Sequence, residues 1–268
     1  MIGFGLLHEL LYWAAVAVLV SAVMSFWTAR LQALSNRLVV VGFVLLTACI
    51  VPRWMLTGHP PILGTYENTI AAVWFLSVAL IALLWSEDSA RHDLARALAV
   101  WVIPLLALGW FFDRSPLSLP ASARGLFVEV HVLFSWTALT FLLIASTAAI
   151  MVLVRPTGED NAEWWDAVMV RSVGFGFTAF TLMLVAGATY SYLLFGDWYR
   201  WEIVGTLAAA LWLSYASTLH AAMIFSWRGR RLASVMLLVL PLMLATFWVW
   251  SFYSGTYHHF EIQTMRQS

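Results

Sequence analysis

Residues 127–154, FVEVHVLFSWTALTFLLIASTAAIMVLV, decide the fold. One carboxylate, Glu129, and one imidazole, His131, stand near the start of the run, and nothing charged interrupts it afterwards. A hydrocarbon core of about 30 Å is crossed by about 20 apolar residues in a helix. The run is continuously apolar and lacks the two-residue alternation of a barrel strand, so it reads as a membrane-crossing helix.

Runs of the same kind lie on both sides of it, at 4–28, 37–57, 68–86, 95–112, 172–195, 203–226 and 232–254. The expectation is an all-α polytopic transmembrane bundle of about eight spans, forming one integral membrane domain over 1–268. Composition agrees. Apolar residues make up 62% of the chain and charged residues 10%, against roughly 45–50% and 25% in soluble domains, and the mean hydropathy is +0.85. A lipid bilayer is therefore the expected surroundings, and no nucleic-acid partner is expected. The first apolar run lacks a basic leader and a small-x-small cleavage site, so it reads as a retained helix.

Every basic residue is an arginine. One set of loops and flanks holds the larger share, Arg30, Arg37, Arg91, Arg96, Arg155, Arg171, Arg228, Arg230 and Arg231; the other holds Arg53, Arg114, Arg124, Arg200 and Arg266. The positive-inside bias puts the first set in the cytoplasm and both termini outside. The loop at 227–231 weighs most in that orientation. The longest polar loops are 113–126, placed outside and holding Pro116 and Pro120, and 155–171, placed inside. Within the latter, residues 159–166 are acidic and carry Trp164 and Trp165, which suits a short helix at the interface. Cys49 is the only cysteine, so the chain has no CxxC or CxxCH motif, carries no c-type haem of its own, and cannot act alone as a dithiol oxidoreductase. Few acidic residues lie inside spans and no pair of broken helices faces a midplane, which disfavours a solute transporter.

The histidines sort by depth. His8, His59, His131, His258 and His259 fall at external helix ends, whereas His220 lies about 25 Å into the seventh span at 1.5 Å per residue. Each reads either as an interfacial histidine bonded to backbone or water, or as a ligand, since neutral imidazole is an axial ligand to haem iron. A titratable group within a span usually faces a partner, a cavity or a ligand. Between the sixth and seventh spans, Phe195-Gly196-Asp197-Trp198-Tyr199-Arg200-Trp201-Glu202 is dense in flat rings. It reads as an aromatic interface belt, or as a shelf for a porphyrin plane on Trp198 and Trp201, with Arg200 for a propionate.

At these residues the sequence resembles the cytochrome c assembly, CcsA/ResC-type, haem-handling proteins of the System II pathway. Arg53-Trp54, Gly58-His59-x-Pro61 and Tyr66-Glu67 are similar to that family's stretch after its second span. The helix opening at Phe127 with His131-Val132, and containing Ser135 and Trp136, resembles its external-histidine helix. Gly187-Ala188 through Leu219-His220 aligns without a gap on its tryptophan-rich segment, which puts His220 on its intramembrane histidine. Gly255-Thr256-Tyr257-His258-His259 resembles its Gly-x-Gly-Leu-His ending, which favours His259 over His258.

The resemblance implies haem b held at an external platform between His131 and His259, for delivery to apocytochrome c, with His220 as a deeper intramembrane ligand. It implies a second membrane or periplasmic subunit, a bacterial inner membrane with the platform on its outer face, and at most a component of a haem lyase or synthase. No other histidine of the chain is expected at the depth of His220, so its partner would come from another subunit; His92, on the cytoplasmic side, is the other histidine considered. The platform departs from the family's Trp-Gly-x-x-Trp-x-Trp-Asp-Pro-Lys-Glu. Here Phe195, Gly196, Tyr199, Trp201, Glu202, Ile203, Val204 and Gly205 stand at the specified places. That departure leaves a second reading open, a haem b electron-transfer anchor linking quinol to an external c-type cytochrome within an oxidoreductase complex.

Overall fold

In hydrocarbon no water satisfies backbone N–H and C=O groups, so a chain that stays there must close its hydrogen bonds within each segment. Residues 2–62, 64–116, 125–155, 161–248 and 252 are described by the computed structural model, and every regular element among them is helical. In order they are α1 (Ile2–Ser25), a short 3-10 turn (Ala29–Leu31), α2 (Gln32–Thr57), α3 (Gly64–Leu84), α4 (Ser89–Ala99), α5 (Val102–Phe111), α6 (Leu126–Val154), α7 (Ala162–Phe195), α8 (Ile203–Met223) and α9 (Gly229–Trp248). With α4 and α5 taken together over Ser89–Phe111, the described residues supply 8 segments long and apolar enough to cross a membrane. The helices group into two compact units, Met1–Pro120 and Ala121–Ser268.

In the first unit α1 and α2 run antiparallel, as the pairing of His8 with Cys49 at one level and Leu19 with Gly42 at another requires. Gly42 lets the two backbones approach, because a methyl group there would run into the Leu19 side chain; small residues serve this purpose between membrane helices. Gly58 closes α2 in the left-handed region, φ 75°, with its N–H on Trp54 O. The first turns of α3 are almost wholly buried, including the polar residues Tyr66, Glu67 and Thr69.

In the second unit α6 and α7 form the main hairpin. Rising numbers on α6 meet falling numbers on α7, with His131 beside Met183 and Leu142 beside Gly176. A Cβ at Gly176 would lie 2.7 Å from Leu142 Cδ2. Helix α9 packs on α6 and α8. Buried hydroxyls close onto carbonyls one turn back, as Thr140 does on Trp136 O and Thr147 on Leu143 O. Large apolar side chains such as Val185, Leu213 and Leu238 point outward. Hydroxyls closed onto their own helix inside and bare hydrocarbon outside suit a protein whose solvent is lipid.

One expected span gains a break and two expectations about elements are corrected. The span expected at 95–112 falls within the crossing segment Ser89–Phe111, made of two helices, α4 and α5, that meet at Val100–Trp101. Pro104 has no N–H for Val100 O, and its ring crowds that carbonyl; Ile103 N–H takes Val100 O instead, at 3.3 Å. The span expected at 172–195 begins at Ala162 and is 34 residues long, about 51 Å at 1.5 Å per residue, so it outruns the hydrocarbon. The separate interface helix expected within 159–166 is absent among the described residues, because Ala162–Asp166 are the first turns of α7. Contacts hold those turns: the Arg155 guanidinium lies 4.8 Å from the Trp165 ring, and Asp166 accepts from Gly229 N–H at 2.7 Å and pairs with Arg228 at 3.4 Å.

Candidate functional site

His131 sits two turns into α6, half-buried against α7. Gly187 makes the room. A Cβ there would lie 2.6 Å from His131 Nδ1 and 2.9 Å from Cε1, so the imidazole occupies a slot that only glycine leaves open. The ring nitrogen Nδ1 is 2.9 Å from Met183 O. A carbonyl only accepts, so Nδ1 carries the proton, and in the neutral ring Nε2 carries the lone pair. A histidine that binds metal through Nε2 has this tautomer, and its Nδ1–H is commonly held by a carbonyl, a carboxylate or water that orients the ring. Further along α6, Trp136 neighbours Phe247 of α9 at 6.5 Å, and Phe247 neighbours Trp248 at 6.0 Å. The buried indole N–H groups of Trp136 and Trp248 have no hydrogen-bond partner among the described residues, as is also true of Ser146 Oγ, Trp165 Nε1 and Tyr215 Oη. The fit to a haem therefore rests on His131, whose tautomer leaves the lone pair on Nε2.

About 12 Å further along the α7 axis from Gly187, at 1.5 Å per residue, the aromatic segment begins. Gly196 ends α7 with φ 79° and its N–H on Tyr192 O. That turn folds Trp198 back onto Tyr192, centroids 4.4 Å apart and planes within 11°. Arg200 lies 4.5 Å from the Phe195 ring, and Trp201 meets Tyr199 edge-on at 5.0 Å. The tryptophans remain open, Trp201 at 88% exposure. Gly205, where the resembled pattern has Glu, abuts this segment. A Cβ there would lie 3.1 Å from Arg200 O and 3.6 Å from the Tyr199 ring, so the change to glycine has a local packing reason.

His220 lies in the last turn of α8, about 25 Å along that helix from the aromatic segment. Its ring is exposed on the outer face of the helix, with Nδ1 donating to Ala216 O at 2.9 Å, which again leaves the lone pair on Nε2. The arrangement brings Trp198, Arg200 and Trp201 together, sets His131 in its own slot on α7, and keeps His220 apart from both. His258 and His259 lie outside the described residues.

Sequence reasoning missed a polar cluster in the first unit. His8, read as an interfacial histidine, is buried at 2% exposure, with Nδ1 3.0 Å from Cys49 O and Nε2 2.9 Å from Tyr66 Oη. Arg53 and Glu67 form a buried pair at 2.7 Å, and the same guanidinium donates to Arg114 O at 2.7 Å and Ser115 O at 3.1 Å. Arg53-Trp54 and Tyr66-Glu67 stood out in the sequence as a pattern, but their pairing across the α2–α3 turn is visible only in three dimensions. Both histidines expected at this end are satisfied by the protein: His59, also buried, bonds Pro60 O through Nδ1 at 2.6 Å.

An all-α polytopic integral membrane protein, with a histidine in a glycine-lined slot between two helices and an exposed aromatic segment further along one of them, is the class that this fold and site define. The comparison with known proteins narrows the class to a family. The chain belongs to the cytochrome c assembly protein family, whose profile matches residues 62–256. Relatives include the cytochrome c biogenesis protein CcsA of Prochlorococcus marinus strain NATL2A, 25% identical over 264 residues that cover 81% of this chain and 82% of the relative. The CcsA protein of P. marinus strain MIT 9303 is 28% identical over 83% of both chains. That of Synechococcus sp. strain CC9902 is 25% identical over 87% of this chain and 89% of its own length. Cytochrome c assembly is accordingly the process in which this chain takes part.

Proposed function

We propose that the chain holds haem b as cargo on the outer face of a bacterial inner membrane, between His131 and His259, and delivers it to apocytochrome c together with a second membrane or periplasmic subunit. The observation that carries this reading is the His131 slot: Gly187 admits the ring and Met183 O fixes the tautomer that ligates through Nε2. Trp198 and Trp201 offer exposed ring faces to the macrocycle, Arg200 a cation to a propionate, and His258 stands beside His259 as the alternate ligand. His220, with an unengaged Nε2 on an outward face, suits a second intramembrane contact completed by another subunit. The arginine bias supports the orientation, both termini outside. Ferrous haem supplies the vinyl groups, across each of which a thiol S–H of a CxxCH segment adds. The chain's own residues hold the iron from both faces and leave the vinyl edge to the incoming peptide.

A second reading, a quinol-linked haem b electron-transfer subunit, is favoured by one observation: Ile203, Val204 and Gly205 replace the polar Pro-Lys-Glu of the resembled platform. Purified chain with its co-purifying subunits, assayed by pyridine haemochrome and then incubated with a CxxCH apocytochrome, separates the two. Substoichiometric haem that becomes covalently bound to the apocytochrome is the expected result. Stoichiometric haem that is reduced by quinol and never transferred overturns the delivery reading and supports the second.

A further inference from the structure

A groove of about 290 Å³ runs between α1 and α5 in the first unit, open along its outer side. Its lining is graded. Tyr12 and Trp13, midway along α1, and Trp110, at the finish of α5, line one end, and Val16, Val20 and Ile103 continue it towards the finish of α1 and the start of α5. From Tyr12 to Val20 the wall is about 12 Å long at 1.5 Å per residue. A volume at the low end of the roughly 300–1,000 Å³ of compact-ligand sites, drawn out along two helices, fits a hydrocarbon chain.

Among the described residues, charge sits only at the aromatic end. The Arg114 guanidinium lies 4.8 Å from the Trp13 ring, 5.1 Å from Tyr12 and 5.8 Å from Trp110. Arg114 Nη1 donates to Glu9 Oε2 at 2.9 Å, and among the described residues its guanidinium makes no other hydrogen bond, so Nε and Nη2 keep their donors. Among the same residues Glu9 Oε1 takes no donor. Both side chains are accessible, Arg114 at 22% and Glu9 at 38%. The neighbouring charges are already engaged: Arg53 with Glu67, and Asp113 with Ser115 N–H at 3.0 Å and Ser115 Oγ at 2.9 Å. Those Ser115 bonds hold the Asp113 carboxyl below the usual carboxylate range.

We infer that this groove seats an acyl chain of a zwitterionic, amine-bearing bilayer phospholipid of the phosphatidylethanolamine class, with its phosphate on Arg114 and its ammonium on Glu9. A guanidinium with spare donors matches a phosphate oxygen pair, and an unengaged carboxylate oxygen matches an N–H donor. The adjacent plus and minus of the protein answer the minus and plus of that head group. An anionic lipid without an amine would bring its phosphate to an arginine already balanced by Glu9 and leave Oε1 unanswered. A choline head group has no N–H to give, and a quinone offers only acceptors.

Native mass spectrometry of the full chain in detergent, with dioleoyl phosphatidylethanolamine, phosphatidylcholine or phosphatidylglycerol added in turn, tests this. Retention of phosphatidylethanolamine should exceed that of either other lipid by roughly tenfold or more, the scale of one charge-assisted hydrogen bond. Glu9→Gln should bring phosphatidylethanolamine down to the level of phosphatidylcholine. Ala107→Phe, at an exposed position on the groove wall, should reduce retention of all three while circular dichroism stays that of the native bundle. Equal retention of the three lipids by the unsubstituted protein overturns the inference without reference to any variant. So does an unchanged preference in Glu9→Gln, or an Ala107→Phe protein that binds as the parent does.

Discussion

One absent methyl group, at Gly187, sets the geometry of His131. Gly187→Ala would place a Cβ 2.6 Å from Nδ1 and push the ring off Met183 O. The expected outcome is a Soret band shifted towards that of His131→Ala and a haem content lowered by roughly 10-fold or more, as losses around a metal-binding histidine commonly are; an unchanged absorption spectrum of the purified variant would remove the slot from the account. In the other unit, Glu67→Ala strands the Arg53 guanidinium at 4% exposure. Breaking a buried pair from one side costs roughly 3–5 kcal/mol, so the thermal midpoint in detergent should fall sharply, with ligand-band spectra of any retained haem unchanged. At this scale the sequence marked His131 by residue type and position, but the tautomer depends on a carbonyl 52 residues away in the chain and no spacing rule reveals it. His8 was misread because depth along a helix does not say which way a ring points; its ring points inward to Cys49 and Tyr66.

Among the elements, the existence of each span was legible because a bilayer demands an apolar run of known length. Their ends were less so. Helix α7 runs on through charged residues because Arg155, Arg228 and Gly229 contact its first turns, and the last two come from a distant segment. The break between α4 and α5 falls at Val100, to whose carbonyl Pro104 offers no N–H; Pro52 and Pro241 sit inside α2 and α9 without ending them, so proline alone does not mark such a break in the sequence. Two outcomes follow. Pro104→Ala should join α4 to α5 and slow amide exchange across residues 100–104, measured by hydrogen–deuterium exchange mass spectrometry. Gly176→Ala should force a methyl against Leu142, whose Cδ2 stands 2.7 Å from where that Cβ would lie, and lower stability by roughly 1–3 kcal/mol, the usual cost of overpacking.

For the whole molecule, composition and the spacing of charges were enough to establish an all-α membrane bundle, and residue patterns were enough to point to the cytochrome c assembly family, which the match over residues 62–256 bears out. Division into the units Met1–Pro120 and Ala121–Ser268 was not legible, since every apolar run looks alike before packing is known. Orientation is open to direct test, because the single native cysteine, Cys49, is buried. A membrane-impermeant maleimide applied to intact cells should label Asp197→Cys and leave Ser226→Cys unlabelled; the reverse pattern would invert the topology and move the aromatic segment to the cytoplasm.

The central claim is that His131 gives its Nε2 lone pair to haem iron. Ligand replacement measures this directly: electron paramagnetic resonance of the oxidised, purified protein with His131→Gly, before and after addition of free imidazole. The account predicts a low-spin signal in the parent, a high-spin signal in the variant, and return of the low-spin signal as imidazole occupies the vacated position. A low-spin signal that persists in His131→Gly without imidazole would contradict it.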